Sequence, residues 1–174
     1  MSIEWMITPL DKKRHNRAEF DCGELALNEY LQKFASQNAA QGISRTFVMV
    51  SVANPQTILG FYTLTVGQID FESLPTNLTK RIPRYPIPIA RLARLAINKN
   101  VQGQHLGKKL LMNALRRCAR TSQEIGLFGI VVDAKHEQAR RFYQKYGFAE
   151  IHNQPLTLLI RMSSVLKTLA PLDM

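Results

Sequence analysis

At 174 residues, 45% hydrophobic and 21% charged, the chain has the length and composition of one globular domain with room for a real core. No run approaches about 18 consecutive apolar residues, the start MSIEWMITPL lacks the basic-then-apolar order of a secretory leader, and Cys22 and Cys118 have no ligand spacing. These features argue against a membrane span, an exported disulfide scaffold and a metal site, and leave a reduced, cytoplasmic protein as the expectation.

The formal net charge of +10 is unevenly distributed. No acidic residue lies between Glu72 and Glu124, a span holding Lys80, Arg81, Arg84, Arg91, Arg94, Lys99, Lys108, Lys109, Arg116, Arg117 and Arg120. A surface without a polyanionic partner mixes its signs, so eleven cations without an acid point to something larger than one nucleotide, such as RNA.

In chain order, Met1 to Leu10 reads as a strand through the alternation of Ile3, Trp5 and Ile7, ended by Thr8-Pro9. Asp11 to Arg17 is a basic connector. Asp21 is placed to cap a helix whose stripe, Leu25, Leu27, Tyr30, Leu31 and Phe34, runs through about Gln41, with Gly42 to stop it. Arg45 to Ala53 and Thr57 to Val66 are β-rich and flank the turn Asn54-Pro55-Gln56, which predicts a hairpin. Ile69 to Pro88 carries four prolines and predicts a long surface loop with at most a helical turn or two.

Leu92 to Ile97 is then a short buried strand, Asn98 to Gln104 a polar turn holding Gly103, and about Gln104 to Ile125 a long helix with Leu106, Leu110, Leu111, Ala114, Leu115 and Cys118 on one face. Strand, glycine-bearing loop and helix N-terminus together aim backbone N–H groups at a phosphate. Lys108 and Lys109 in the first helical turn oppose the macrodipole at about 0.3–1 kcal/mol each, a cost that a bound polyanion reverses. Leu127 to Val132 is another buried strand, His136 to Tyr146 a short helix capped by Gly147, and Phe148 to His152 and Leu156 to Met162 a final strand pair. Ser164 to Leu169 adds one helical turn. The expected architecture is α/β (α+β), a single domain over residues 1–174 with a central mixed sheet flanked by helices.

Three segments resemble the GNAT N-acetyltransferase superfamily. Gln102-Gly103-Gln104-His105-Leu106-Gly107 is similar to its acetyl-CoA loop, Q/R-x-x-G-x-G/A, and Arg94-Leu95-Ala96-Ile97 to the strand before that loop. Ala139 to Phe148 is similar to its A-x-x-F-Y-x-x-x-G-F element. A narrower resemblance covers Phe20-Asp21-Cys22-Gly23, Asn38 to Gly42, Ser44 to Val48 and Ile87-Pro88 leading into Ala93 to Ala96. It is to the GNAT toxins of toxin–antitoxin pairs.

That resemblance implies a single GNAT domain that acetylates the α-amino group of aminoacyl-tRNA from acetyl-CoA. It implies as partners a ribbon-helix-helix antitoxin, with operator DNA reached through the antitoxin in a repressor complex, and a second copy of the chain as a homodimer. Tyr143 is implied as the general acid that protonates the coenzyme A sulfur. Leu95, Ala96 and Ile97 are implied to hold the pantetheine arm, and the N–H groups of Gln102, Gly103, Gln104, His105, Leu106, Gly107 and Lys108 the pyrophosphate. His136 stands where many members have asparagine near the cofactor. His105 stands where the loop usually has glycine, and a side chain fits there if φ stays negative.

Arg81, Arg84, Arg91, Arg94, Lys99, Arg116 and Arg117 are candidate tRNA contacts. An ester-linked α-amine is less basic than a lysine, so a dedicated strong base is not required. Two alternatives stand beside this reading: a housekeeping GNAT acting on a protein N-terminus or small amine, and a basic nucleic-acid-binding regulatory module with weak or no catalysis.

Overall fold

The computed structural model describes residues 3–169. Met1 and Ser2 of the expected first strand, and the residues after Leu169, lie outside the described residues. β1 is Trp5–Pro9, followed by a helix in three pieces: α1 Leu25–Glu29, a π-helical segment Tyr30–Phe34, and α2 Ala35–Ala40. β2 is Arg45–Ser51 and β3 Ile58–Ile69. Two short 3-10 turns, Phe71–Ser73 and Thr76–Leu78, precede β4, Ile87–Ile97. Then come α3 Leu106–Thr121, β5 Gly129–Asp133, α4 Glu137–Lys145, β6 Ala149–Ile151, β7 Gln154–Arg161 and α5 Met162–Leu169. The sheet has seven strands in the order β1-β2-β3-β4-β5-β7-β6. Its β4–β5 pair is parallel, while β1–β2, β2–β3, β5–β7 and β6–β7 are antiparallel. This is the mixed sheet with helices that the sequence implies.

The predicted strand at Leu92 begins five residues earlier, at Ile87. Ile87, Ile89, Ala90 and Leu92 are buried while Pro88 faces out. Pro88 lies before the parallel ladder, which starts at Ile89↔Gly129, so its missing N–H forfeits no bond there, and its carbonyl accepts from Phe128 N at 2.8 Å. The helix α3 stops at Thr121, short of the predicted Ile125, and near its end Thr121 Oγ1 and Ser122 Oγ bond back to the carbonyls of Arg117 and Ala119. The last helix runs for eight residues, beyond the single turn expected.

The described residues divide into two compact units, 3–65 with 93–114, and 66–92 with 115–169. The first packs Phe20, Leu27, Tyr30, Leu31, Val48, Val50, Ile58, Phe61 and Ala96 into one core, with the Phe20 and Phe61 rings edge to face at 5.4 Å. β3 carries Gly60 at the close approach: a Cβ there would lie 2.8 Å from the Ala96 carbonyl oxygen and 2.9 Å from Leu110 Cδ1. The second unit packs Ile69, Leu74, Ile87, Ile89, Val131, Ile151 and Leu159 together, with Phe71 and Phe128 partly buried against them.

Candidate functional site: a donor loop and a buried tyrosine

In the first unit, β4 ends in Leu95, Ala96 and Ile97, and a 3-10 turn, Lys99–Val101, leads into the loop before α3. Asn98 starts that turn by accepting from Asn100 N–H at 3.1 Å. The Gln102 side chain then braces the loop from within, donating to the carbonyls of Ile97 at 2.9 Å and Cys22 at 3.1 Å. Gly103 turns the chain at φ +82, with open space around the position of a Cβ. The first turn of α3 closes through Lys109 N to the His105 carbonyl. Among the described residues, the N–H groups of Gly103, Gln104, His105, Leu106, Gly107 and Lys108 have no acceptor. Four of these six are the donors that the start of any α-helix leaves over. With Lys108 and Lys109 exposed beside them and no acid in the first turn, the loop presents a row of donors and positive charge to solvent.

The condition under which a side chain fits at His105, a negative φ, is not met. Its φ is +61, the left-handed region, so the position demands what glycine gives without strain, and an L side chain there costs about 1–2 kcal/mol. His136, expected near the cofactor, is the N-cap of α4: its Nδ1 accepts the Ala139 N–H at 3.1 Å. Asp21, expected to cap the first helix, does not. Its carboxylate accepts from Gly23 N–H and Asn28 Nδ2 and pairs with Lys99 at 2.8 Å. The Lys99 bond first, then those of Gly23 and Asn28, hold the Asp21 pKa down at about 2.

The basic candidates fall into distinct settings. Lys99 is paired with Asp21, and Arg91 on β4 pairs with Asp133 at the end of β5. Thr157 Oγ1 also donates to Asp133, and this trio lines a cavity of about 490 Å3 with Asp70 and Gln68. Arg94 lies 3.5 Å above the Tyr30 ring and Arg84 5.3 Å from that of Phe71. Arg81, at φ +65, and Arg116 are exposed, and Arg117 is half-buried on α3. The partners Asp21 and Asp133 sit outside the acid-free stretch, so a charge run read along the chain does not reveal them. Nor does any sequence signal link Arg94 to its aromatic seat on Tyr30, so far away in the chain.

In the second unit, α4 carries Tyr143 on its last full turn. Gly147 at φ +99 bonds back to the Gln144 carbonyl and Phe148 N–H to the Tyr143 carbonyl, a complete Schellman cap. Such a cap pairs the side chains at its two ends, and the Tyr143 and Phe148 rings indeed meet edge to face at 5.5 Å, with Phe142 on the other side at 5.2 Å. The F-Y-x-x-x-G-F spacing is therefore a device for fixing one aromatic ring. Tyr143 is only 8% exposed, and its hydroxyl has no hydrogen-bond partner among the described residues. Burial raises its pKa well above the ordinary tyrosine value, so the phenol stays protonated at any neutral pH. Tyr146, three positions on, is half-buried, packs on Phe142 at 5.2 Å and has Lys145 over its ring.

Residues 44–150 match the model of the acetyltransferase (GNAT) domain. The chain belongs to the GNAT acetyltransferase family. Within it the chain is 37% identical over 143 residues to a tRNA-acetylating toxin of Mycobacterium tuberculosis (strain ATCC 25618 / H37Rv), covering 82% of this chain and 84% of that protein. Among solved structures, AtaT complexed with acetyl-methionyl-tRNAfMet is 28% identical, with TM-score 0.87 and coverage of 98% of this chain and 100% of that one. A tyrosine-to-phenylalanine mutant of the toxin AtaT, bound to acetyl-CoA and the C-terminus of the antitoxin AtaR, is 26% identical, with TM-score 0.80 and coverage of 94% and 97%. This GNAT chain is thus an acetyltransferase of the toxin branch. No helix among the described residues is long and apolar enough to cross a membrane.

Proposed function

We propose that this GNAT chain transfers the acetyl group of acetyl-CoA to the α-amino group of aminoacyl-tRNA and so acts as a translation-blocking toxin. The observation that carries the donor half is the row of six N–H groups, Gly103 to Lys108, without an acceptor at the start of α3. Donors so arranged suit a pyrophosphate, and Lys108 suits its charge. Ala93 to Ile97 continue β4 beyond the β5 ladder, whose last pair is Leu92↔Val132, and the backbone of Leu95, Ala96 and Ile97 is assigned to the amide-bearing arm. His136, whose Nδ1 caps α4, is kept as a proposed cofactor contact. The likeness to AtaT solved with acetylated tRNA supports the acceptor half.

Tyr143 donates its proton to the sulfur as the thioester C–S bond breaks and the amine nitrogen bonds to the carbonyl carbon. A buried phenolate is costly, but so is the thiolate it replaces, so desolvation largely cancels from the transfer. What remains is the ordinary gap between phenol near 10 and thiol near 8.5, about 2 kcal/mol uphill. The proton shed by the newly bonded nitrogen restores the phenol, and atoms and charge balance. The attacking amine needs only to be neutral, which an ester-linked α-amine meets in good part near pH 7.

The toxin reading carries partners with it: a ribbon-helix-helix antitoxin bound through a C-terminal segment, DNA bound through that antitoxin, a second copy of the chain, and a cytoplasmic setting where charged tRNA is found. The test is incubation with labelled acetyl-CoA and a charged tRNA pool, against peptides and polyamines. Label released from the RNA by mild alkali as acetyl-amino acid supports the reading; label in peptides or polyamines and none in RNA refutes the acceptor.

A further inference from the structure

Arg94 and Tyr30 are joined in a way that family membership does not by itself explain. Tyr30 opens the π-helical segment, and the extra residue in that turn leaves Tyr30 and Leu31 buried while Phe34 is turned out to 47% exposure. Single π turns inside α-helices often mark functional positions. The Tyr30 hydroxyl is pinned by Ser44 Oγ at 2.9 Å and by Asn38 Nδ2 at 3.3 Å, so the ring cannot swing. The Arg94 guanidinium lies over that ring at 3.5 Å, a contact close enough for face-to-face stacking.

Stacking uses the face of the guanidinium and leaves its edge, with five N–H donors, unspent. Among the described residues Arg94 has neither a carboxylate nor a hydrogen-bond acceptor, although it is half-buried and Arg91, three residues away, has both. A charge partly withdrawn from water without an acid is a cost that an incoming anion removes. A flat guanidinium edge fits two oxygens of one phosphate.

We infer that Arg94, held flat by the Tyr30 ring, binds a backbone phosphate of the RNA acceptor, with Tyr30 as its positioning residue. The inference rests on the proposed transfer to aminoacyl-tRNA. The RNA is favoured over the cofactor because the cofactor's diphosphate is assigned to the donors of Gly103 to Lys108; the cofactor's remaining 3′-phosphate is the rival anion, and KM for acetyl-CoA tells the two apart.

The experiment compares wild type with Arg94→Ala, Arg94→Lys, Tyr30→Leu, Tyr30→Phe and the double variant Arg94→Ala/Tyr30→Leu. The quantities read are kcat, KM for charged tRNA, KM for acetyl-CoA, and the slope of log(kcat/KM) against log salt. Arg94→Ala should raise KM for tRNA about ten- to a hundredfold with KM for acetyl-CoA unchanged. It should also flatten the salt slope by about 0.7–0.9, one phosphate contact. Arg94→Lys, which keeps the charge but not the fork, should keep the slope and still raise KM for tRNA. Tyr30→Leu should reproduce the Arg94→Ala effects and add nothing to them in the double variant, since one residue acts through the other. Tyr30→Phe keeps the ring but loses its Ser44 and Asn38 bonds, so it should retain more of the wild-type slope and KM than Tyr30→Leu; should Tyr30→Leu fail to fold, Arg94→Ala and Tyr30→Phe carry the test.

A rise in KM for acetyl-CoA alone, an unchanged tRNA slope in Arg94→Ala, or additive effects in the double variant would overturn the inference while leaving the acetyltransferase reading intact. A wild-type chain that transfers no acetyl group to charged tRNA overturns both.

Discussion

Replacing Tyr143 by phenylalanine separates catalysis from structure unusually cleanly in this fold. The ring contributes to the core through Phe142 and Phe148, and phenylalanine keeps both contacts. The hydroxyl has no partner among the described residues, so its removal breaks no protein hydrogen bond. Stability should therefore change by less than about 1 kcal/mol, below the cost expected when a bonded polar group is lost. If the hydroxyl is the proton donor to sulfur, kcat should fall about 10²- to 10⁴-fold, the range for a positioned general acid. At about 1.36 kcal/mol per decade that is roughly 3–5 kcal/mol on the barrier. The assay is single-turnover acetyl transfer to charged tRNA, with acetyl-CoA affinity and the denaturation midpoint measured on the same preparation. Loss of rate with binding and midpoint preserved is the expected pattern. Full activity in the variant would refute the assignment, and a rate loss matched by a lowered midpoint would make Tyr143 a core residue only.

Four further outcomes follow from the same geometry. Gly147→Ala forces a Cβ into φ +99 and to within 3.3 Å of Ile160 Cδ1, so it should cost about 1–2 kcal/mol by chemical denaturation and lower kcat by disturbing the cap that fixes Tyr143. His105→Gly should raise stability by up to about 1–2 kcal/mol by removing the left-handed strain, and a neutral or lower midpoint would show that the imidazole makes compensating contacts. His136→Ala should lose about 0.5–2 kcal/mol as a broken N-cap, while His136→Asn should retain most of it; equal losses would remove the capping explanation. His15, whose Nδ1 accepts the Asp11 N–H at 2.9 Å, has its pKa lowered chiefly by burial. Its folded pKa lies below its unfolded one, so its contribution is whole above the unfolded value near 6.5 and lost as pH falls through the folded value. Urea midpoints should drop on acidification below about pH 6.5, and a His15→Gln variant should show a smaller drop.

What could be read from the chain alone was what is local in sequence. The A-x-x-F-Y-x-x-x-G-F run is legible because a Schellman cap is made within six residues, Tyr143 to Phe148. The donor loop is legible because a strand end, one glycine and a helix start are adjacent. The hairpin of β2 and β3 is legible from its turn for the same reason. The length of β4 was hidden by Pro83, Pro86 and Pro88, which signal a loop unless the ladder is known to start after the last of them. The π turn was hidden because its extra residue shifts the 3.6-residue stripe without erasing it, so Phe34 reads as inward and is half exposed. Asp21 reads as a cap because capping is local, whereas its ion-pair partner, Lys99, lies far along the chain.

The acid-free stretch also means something narrower in space than in sequence. Lys99 and Arg91 are compensated by Asp21 and Asp133, which border that stretch in the fold but not in the chain, so neither adds fully to a field that attracts RNA. Arg84 sits near an aromatic ring on the second unit's loop, and Arg94 on the Tyr30 shelf. Within this stretch, the cations that are exposed, without a carboxylate among the described residues and away from any aromatic ring are Lys80, Arg81, Lys108, Lys109, Arg116 and Arg120. They divide by their surroundings: Lys108 and Lys109 stand in the first turn of α3, beside its row of backbone donors, Lys80 and Arg81 in the loop before β4, and Arg116 and Arg120 farther along α3. A free N–H row selects phosphate at one place, whereas a dispersed set of exposed cations selects only for a long polyanion. Two kinds of anion recognition in one basic chain are what a transferase needs when both its acyl donor and its acceptor carry phosphates.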